Sequence, residues 1–358
     1  MKVLFVKGDT VNNVRLSKFI KFFQSRDIPV SFWGWNRSNL EADNSNLNEL
    51  LYLLKGGGYG GKKVVLYYPL WMLKVFWHAL FSKRIKEHKI IAVNFDSALP
   101  IYLASRIRRF SYIYEIRDEF ALSYDFSPFI KRIIKKIDCA LMRHSSFVIH
   151  VDANRVTYKK CDYIIIENSP EDYFQGEKRS YGSIKMQYAV IGNISQTRGI
   201  DQIYKFASLN EHVSILLVGK FYSEELKSLL LSLHNIEYHE FMPQHELFSL
   251  MESCCGIFSL YDPCIEINRL AASNKVYDAM MLGIPVITNK EVINSEYIRK
   301  VGCGVVLDYQ YNESWKCLAE PTFLELAQQM GTKGRNLYLQ EYQFSKMVEN
   351  RLLPKLLS

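Results

Sequence analysis

One segment decides the fold: Asn274-Lys275-Val276-Tyr277-Asp278-Ala279-Met280-Met281-Leu282-Gly283-Ile284-Pro285-Val286-Ile287-Thr288. It predicts a short helix that begins at the cap residue Asn274 and ends at Gly283, which can adopt the left-handed conformation after the last turn. Pro285 prevents the helix from continuing, and the β-branched residues after it predict a buried strand. A helix that leads directly into a strand is the repeating unit of α/β proteins.

The first turns of this helix carry groups that suit a nucleotide sugar. Backbone N–H groups at a helix N-terminus attract phosphate, and Lys275 adds a positive charge there. Asp278, one turn along, can accept hydrogen bonds from a sugar hydroxyl. The alternative interpretation is an ordinary helix and strand in which Lys275 and Asp278 are solvated.

Length and composition predict an intracellular protein of two domains. The chain has 358 residues, of which 48% are hydrophobic, so it can form two cores. Its seven cysteines include no C-x-x-C pair, and we find neither a signal peptide nor an apolar run long enough to span a bilayer. These features predict a reducing, cytoplasmic compartment.

Charge is distributed unevenly along the chain. Residues 1–170 contain 27 lysines and arginines against 15 acidic residues, whereas residues 171–358 contain 18 against 22. A basic half predicts a polyanionic partner, either nucleic acid or an anionic membrane surface. Because no nucleic-acid-binding motif supports the first option, we expect a membrane and no nucleic acid.

Three segments of the basic half combine cations with large apolar side chains, as interfacial helices do. They are a predicted helix near 130–141, with isoleucines on one face and lysines on the other, and the segments 71–86 and 18–26. A core helix with a solvated basic face is the alternative for each. Together they predict a peripheral protein on the inner face of the cell membrane.

Strand and helix patterns alternate through both halves of the chain, which predicts parallel sheets covered by helices. We expect domains at 1–170 and 186–343, joined by a linker at 171–185 where the pattern lapses. A final helix at 344–358 can cross back to the N-terminal domain.

Two segments of the first half have less regular patterns. Residues 43–54 are predicted to enter a helix. The glycine-rich stretch 56–61 neither follows a strand directly nor ends in a phosphate-binding motif, so we interpret it as a surface loop.

Several turns of the second half follow predicted strands. Gly192 and Arg198 lie after the first of these strands, and Gly219 lies after the second. Carboxyl ends of parallel strands meet at one edge of the sheet, which would bring these turns to the Lys275 helix. The sequence therefore predicts a diphosphate site made of Arg198, Lys275 and backbone amides, with Asp278 near a ribose.

These turns occur in a recognisable order: Gly192-Asn193-Ile194, Arg198-Gly199, Val218-Gly219, Pro243-Gln244-His245-Glu246-Leu247-Phe248, Asn274-Lys275-x-x-Asp278 and Gly283-x-Pro285-Val286-Ile287. The set resembles the nucleotide-sugar domain of GT-B glycosyltransferases and is most similar to family 4-type enzymes of bacterial surface polysaccharide synthesis. The resemblance implies an α/β fold of two Rossmann-like domains that face a central cleft. It also implies a nucleotide diphosphate-sugar donor and catalysis without a metal ion or other cofactor.

The resemblance implies that Arg198 and Lys275 bind the donor diphosphate and Asp278 the ribose. At the positions that the family uses for two glutamates, eight residues apart, this chain has Leu270 and Asp278. Contacts to the transferred sugar are therefore expected from the preceding loop, which contains Glu266 and Asn268. We also expect donor contacts from the remaining residues of these turns: Gly192, Asn193, Gly199, Gly219 and Asn274.

In the first half, a predicted strand runs into the charged turn Glu115-Ile116-Arg117-Asp118-Glu119. This turn resembles the E-x-R-D turn of many family 4-like enzymes. A carboxylate there can act as a base on an acceptor hydroxyl or stabilise an oxocarbenium-like transition state, and we select Asp118 first and Glu119 second. The alternative is a helix-capping ion pair between Arg117 and Asp118. Asp96, at the preceding strand end, is either on the same edge or an N-cap.

Patterns for other chemistries are absent from the sequence, including H-E-x-x-H and G-x-S-x-G. The resemblance implies a glycosyltransferase that moves a sugar from its nucleotide diphosphate donor to an acceptor hydroxyl, and the basic, aromatic first half predicts a lipid-linked saccharide as the acceptor. The resemblance implies retention of anomeric configuration, although Leu270 in place of a glutamate leaves inversion open. The alternatives are a nucleotide-sugar epimerase of the same fold and a non-catalytic nucleotide-sugar-binding or membrane-associated protein.

Overall fold

Two parallel β-sheets organise the chain. The computed structural model describes residues 1–358 except 38–46, 59–61, 123, 125, 157, 159, 177–183 and 272. One compact unit contains Met1–Glu167 together with Phe344–Ser358, and a second contains Asn168–Gln343. Of the segment predicted as a linker, 177–183 lie outside the described residues.

The strands are β1 (Lys2–Lys7), β2 (Val30–Asn36), β3 (Glu49–Lys55), β4 (His88–Val93), β5 (Ile113–Ile116), β6 (Val148–His150), β7 (Tyr163–Ile165), β8 (Lys185–Ile194), β9 (Ser214–Phe221), β10 (Ile236–His239), β11 (Cys254–Ser259), β12 (Val286–Asn289) and β13 (Gly304–Leu307). The α-helices are α1 (Val14–Gln24), α2 (Lys62–Phe81), α3 (Phe95–Arg108), α4 (Pro128–His144), α5 (Ile200–Leu209), α6 (Glu224–Leu231), α7 (Gln244–Met251), α8 (Glu266–Arg269), α9 (Asn274–Leu282), α10 (Ser295–Val301), α11 (Phe323–Leu337), α12 (Phe344–Met347) and α13 (Leu353–Leu357).

All strand pairs in both sheets are parallel. The first unit has the order β3-β2-β1-β4-β5-β6-β7, and the second has β10-β9-β8-β11-β12-β13. Central strands such as β2 are buried along their whole length, which explains their nearly continuous apolar sequences. The α/β class predicted from the sequence is confirmed. In each sheet the chain reverses its direction of growth beside the first strand, which is where α/β proteins bind ligands.

The helix predicted at 43–54 is wrong, because Glu49–Lys55 forms strand β3 at the edge of the first sheet. Its apolar run is short enough to fit either a strand or a helix, and pairing with β2 decides between them. The beginning of the predicted helix lies among residues that the structure does not describe.

The segment 18–26 does not offer its aromatic residues to a membrane. Phe19, Phe22 and Phe23 of α1 are buried in the first unit. Phe19 packs edge-to-face on Phe344 at the start of the C-terminal segment, with ring centroids 4.9 Å apart. The C-terminal segment is also held in place by its Arg351, which pairs with Glu167 at 2.8 Å. The aromatic residues of 18–26 are therefore part of the core.

In the second unit, α9 spans Asn274–Leu282 and is followed by Gly283 in the left-handed conformation and by β12, as the sequence predicts. The cap is one residue earlier than predicted, because Ser273 has the extended backbone of an N-cap. The Ser273 hydroxyl lies 2.7 Å from that of Ser259 in the preceding strand. This contact leaves Asn274 as the first residue of the helix.

The residues after Asn168 are fixed on the second unit by a buried ion pair. Both Nη atoms of Arg335, in α11, donate to the carboxylate of Asp172, at 2.6 and 3.0 Å. Arg335 also donates to the carbonyl oxygen of Met281 in α9. This bidentate pair anchors the start of the predicted linker beside α9.

Candidate functional site

The predicted donor turns lie at the carboxyl edge of the second sheet. Gly192 and Gly219 are register partners in β8 and β9, and both have positive φ angles, +93° and +151°. A Cβ atom on Gly219 would lie 1.9 Å from the carbonyl oxygen of Gly192, so only glycine fits there. A Cβ on Gly192 would point into open space. The backbone of Gly192 is thus exposed at this edge, whereas Gly219 is buried against it.

Arg198 lies beside this opening, on a short turn that ends at Gly199. Its guanidinium is 4.3 Å from the centre of the Tyr261 ring. One of its terminal nitrogens, Nη1, is buried without a hydrogen-bond partner among the described residues. A buried cationic N–H group without an acceptor is costly, which makes Arg198 a good candidate to bind an anion.

Lys275, in the first turn of α9, lies within electrostatic range of the same tyrosine, Tyr261. Burial would raise the pKa of Tyr261, but the positive charge of Lys275 opposes that effect. Arg198 and hydrogen bonds from Ser273 and Ser259 act in the same direction, so the pKa falls below its usual value. Two cations from distant parts of the sequence therefore converge on one phenol, and the N-terminus of α9 is beside them.

Hydrogen bonds join the loops that carry these two groups. The backbone N–H of Asp262 donates to the carbonyl oxygen of Thr197 at 3.0 Å. The Asn268 side chain donates to the carbonyl oxygens of Thr197 and Asp262, at 3.4 and 3.1 Å. Asn289, at the end of β12, binds the backbone of Tyr261 through both its amide oxygen and its amide nitrogen. The Arg198 turn and the Tyr261 loop thus form one supported structure.

The structure uses the other predicted donor residues in different ways. Asn268 is buried, and its amide nitrogen serves the loop contacts, whereas Glu266 is exposed at the start of α8. Asn274 is exposed and accepts a hydrogen bond from Asn168 at 2.8 Å. Asn193 accepts one from the exposed Tyr222 at 3.3 Å.

Asp278 is buried in α9, within electrostatic range of Tyr338. Tyr338, whose hydroxyl donates to the carbonyl oxygen of Pro170, has a pKa raised chiefly by burial. Asp172, Glu171 and more weakly Asp278 add to this rise. Asp278 therefore belongs to an acidic environment near Tyr338 and is less accessible than Lys275.

The E-x-R-D turn of the first unit is built on a buried ionic network. Glu115 accepts from Arg15 at 2.7 Å and from Arg117 at 3.2 Å. Burial would raise the pKa of Glu115, but Arg117 and Arg15 lower it to about 2, so this carboxylate is ionised. Arg117 also donates to the side chain of Asn13 at 2.7 Å. The first glutamate of the turn is therefore structural.

Asp118 and Glu119 follow this network at the surface. Arg155 donates to the Asp118 carboxylate at 3.3 Å and to the carbonyl oxygen of Arg117 at 2.8 Å. The Asp118 side chain remains 63% exposed. Glu119 pairs with Lys135 at 3.0 Å. The sequence allowed a capping ion pair between Arg117 and Asp118. In the structure Arg117 pairs with Glu115 instead, and Asp118 pairs with Arg155.

Asp96 is buried in the first turn of α3, where Asn94 occupies the N-cap position. Burial is the main reason that the pKa of Asp96 rises to about 6, while Arg37 and Lys7 lower it more weakly. The alternative of Asp96 as an N-cap is therefore wrong. Within the part of the chain that the structure describes, no group of three or more His, Cys, Asp or Glu side chains could hold a metal ion.

Sequence reasoning missed Tyr261 and Asn289. Tyr261 lies just after β11 and Asn289 is the last residue of β12, at the carboxyl edge of the sheet, where ligand-binding residues collect. Tyr261 comes directly after one apolar run and Asn289 directly after another, and neither of them is assigned a role from the sequence. Their positions at strand ends were the signal available.

Comparison with solved structures shows which fold this is. Sucrose-phosphate synthase from Thermosynechococcus elongatus superposes with a TM-score of 0.67 at 11% identity, over 98% of this chain and 96% of the other. HepE from Anabaena, in complex with UDP and glucose, gives 0.67 at 16% identity, over 98% and 97%. WaaG, a glycosyltransferase involved in lipopolysaccharide biosynthesis, gives 0.62 at 11% identity, over 97% and 98%.

No protein-family model matches the sequence, and no curated protein is significantly similar to it. The structural similarity extends over almost the whole chain. The prediction of the GT-B fold is thereby confirmed.

Proposed function

We propose that this protein is a glycosyltransferase that uses a nucleotide diphosphate-sugar. The observation that carries the proposal is the convergence of Arg198 and Lys275 on Tyr261 at the carboxyl edge of the second sheet. Two cations and a helix N-terminus make a site for two adjacent phosphates. HepE, which has the same fold, was crystallised with UDP and glucose, and this supports the donor class.

The diphosphate site would also promote the reaction. When the bond between sugar and phosphate breaks, negative charge develops on the departing diphosphate. Arg198, Lys275 and the N-terminus of α9 would already be in place when this charge develops and would stabilise it. The proposal therefore requires no metal ion. The exposed backbone of Gly192 would let a phosphate approach, and Gly219 allows the close packing of the two strands there. Asp278 would bind the ribose, which requires the hydroxyls to reach a buried carboxylate.

The remaining roles concern the transferred sugar and the acceptor. Glu266, at the start of α8, and Asn268 would contact the sugar, and Asn268 would do so through its amide oxygen because its nitrogen binds the loop. Asp118 would act on the acceptor hydroxyl or stabilise the oxocarbenium-like transition state. We propose retention of configuration and a lipid-linked saccharide acceptor in surface polysaccharide synthesis. WaaG, of the same fold, is involved in lipopolysaccharide biosynthesis, which supports this choice.

A donor screen tests the function. UDP-, GDP- and ADP-sugars are compared with CMP-sugars, which carry only one phosphate. We expect at least one diphosphate donor to bind more than about tenfold more tightly than the CMP-sugars, since a charge-assisted hydrogen bond contributes about 1.5–3 kcal/mol. Equal binding of all donors, or of none, would contradict the proposal.

Product analysis then separates the alternatives. A glycosyltransferase transfers the sugar of the bound donor to an acceptor, and its turnover rises when a saccharide lipid is added. A nucleotide-sugar epimerase would change the sugar without any acceptor. A non-catalytic binding protein would return the donor intact.

We further propose that the first unit contacts an anionic membrane surface from the cytoplasmic side. Among the described residues, no helix has the length and apolar character needed to cross a membrane. Helix α4 exposes Phe129, Ile130 and Ile133 in its first two turns, where lysines and an arginine also lie. Exposed apolar residues bordered by cations fit an interface between water and lipid.

Helix α2 contributes a second apolar surface, which we call the α2 stripe. Its members recur at helical spacing and are all exposed: Leu66, Leu70, Leu73, Trp77 and Phe81. The opposite side of the helix is buried in the core through Trp71, Val75 and Ala79. A helix that is apolar on both sides needs a second apolar surface to cover its exposed side.

Tryptophan fluorescence tests membrane contact. Trp77 is 49% exposed, while the other four tryptophans are at most 4% exposed. We expect anionic vesicles with brominated acyl chains to quench the emission of Trp77, and the Trp77→Phe variant to lose that quenching. Vesicles without bromine are the control. A protein that stays in solution even at low salt, where the attraction is strongest, would contradict membrane contact.

A further inference from the structure

A cavity lies at the amino edge of the first sheet, away from the turn that carries Asp118. Its volume is about 360 Å³, near the lower end of the roughly 300–1,000 Å³ typical of ligand sites. Its floor includes Ser31 and Trp33 of β2, and its rim is formed by the end of α2 and the residues that follow it. A cavity of this size suits a small group better than a whole nucleotide.

The rim of the cavity is rich in hydrogen-bond donors. Ser82, Lys83 and Arg84 follow one another in sequence and all line it. Neither Lys83 nor Arg84 forms an ion pair with any carboxylate of the residues described here. Two exposed cations and a hydroxyl make a site for a phosphate group.

Three further polar side chains complete the lining. His78 packs edge-to-face on Trp33, with ring centroids 4.4 Å apart. His88 is hydrogen-bonded through Nδ1 to the carbonyl oxygen of Arg84 at 3.0 Å. Glu49 contributes the one carboxylate of the lining, against the two charges of Lys83 and Arg84. The two cations of the lining therefore outnumber its one carboxylate, which favours an anion.

The cavity adjoins the α2 stripe, and this position indicates which class of molecule carries the phosphate. Trp77 and Phe81 of the α2 stripe stack on each other, with centroids 5.6 Å apart and rings almost parallel. Phe81 is 69% exposed, and Ser82 follows it directly. A phospholipid has the same arrangement, because acyl chains adjoin one phosphate.

We propose that this cavity binds the headgroup of an anionic phospholipid while the α2 stripe contacts the acyl chains beside it. The inference rests on the membrane contact proposed above and specifies its ligand. Lys83 and Arg84 hold the phosphate, with Arg84 offering a planar pair of donors. The site would fix how the first unit is oriented on the membrane.

The test measures partition of the full chain onto vesicles of phosphatidylcholine with and without phosphatidylglycerol. We expect the wild type to prefer the anionic vesicles and the Lys83→Ala/Arg84→Ala variant to lose roughly 30-fold in partition, since each basic residue contributes about 1 kcal/mol, or about fivefold. The matched control is Arg299→Ala/Lys300→Ala, an exposed pair of the same residue types in α10. It should change partition by less than about twofold.

A conservative variant distinguishes a site with defined hydrogen-bond geometry from non-specific electrostatic attraction to the membrane. Arg84→Lys keeps the charge but loses the planar donor pair, so a phosphate site predicts a loss of about fivefold or more. Unchanged partition of Arg84→Lys would overturn the proposal. Glu49→Gln removes the opposing charge and should strengthen binding to anionic vesicles. Stronger binding of the wild type to phosphatidylethanolamine than to phosphatidylglycerol would also overturn it.

Two more measurements identify the source of the phosphate. Glycerol 3-phosphate in solution should bind far more weakly than vesicles do; comparable binding would indicate a soluble ligand and overturn the lipid assignment. Concentration-dependent dimerisation without vesicle binding would make the α2 stripe an interface between copies of the chain. Quenching of Trp77 and donor binding are recorded on the same variants. If both persist while Lys83→Ala/Arg84→Ala has no effect, only the headgroup site fails.

Discussion

Replacing Lys275 or Arg198 with alanine is expected to weaken diphosphate binding by about 10- to 150-fold each, because each variant loses a hydrogen bond from a charged donor, about 1.5–3 kcal/mol. Both cations act on the same buried phenol, so they would contact neighbouring oxygens of one ligand. The measurement is the affinity for UDP and for UMP, by calorimetry, on each variant.

The comparison of the two nucleotides makes the test specific. The wild type should prefer UDP to UMP, and the double variant Lys275→Ala/Arg198→Ala should lose most of that preference. Lys300→Ala is the control, since Lys300 is an exposed lysine near the end of α10 in the same unit. If the double variant keeps the wild-type preference, the diphosphate site is elsewhere.

The helix around Lys275 could be predicted closely because its signals are local. Gly283 and Pro285 end the helix through their own backbone geometry, which no distant contact has to supply. The start was one residue off, because the contact between Ser273 and Ser259 joins residues that are apart in sequence. Local rules thus determined the element, and a tertiary contact determined its first residue.

The error at β3 has the same cause. The apolar run in β3 fits a strand or a helix until β2 is known to lie beside it. In α4 the period of the isoleucines is helical, but Ile130 and Ile133 are exposed whereas Ile134 is buried. Periodicity identifies a helix, and neighbouring elements decide how much of its apolar face they cover.

The candidate site was partly predictable because parallel sheets bring strand ends to one edge. That rule was enough to expect Arg198 and Lys275 near each other. It did not reveal that the charges of both cations act on Tyr261 or that Asn289 holds the backbone of Tyr261. Those contacts depend on loop conformation, which the spacing of residues does not encode.

The second large effect is expected at Asp118. The turn that carries it is held on several sides: Asn94 accepts from the backbone N–H of Arg117, and Arg155 donates to the carbonyl oxygen of Arg117. The Asp118 carboxylate is nevertheless mostly exposed. An accessible carboxylate on a fixed backbone is what a positioned base or charge stabiliser requires.

Asp118→Asn should therefore reduce turnover by about 10²- to 10⁴-fold, the usual contribution of a positioned acid or base, and leave donor affinity unchanged. Glu119→Gln is the matched control: its carboxylate pairs with the exposed Lys135, and its loss should cost less than about threefold. Near-normal turnover of Asp118→Asn together with a large loss in Glu119→Gln would transfer the role to Glu119, and near-normal turnover of both would remove this turn from the reaction.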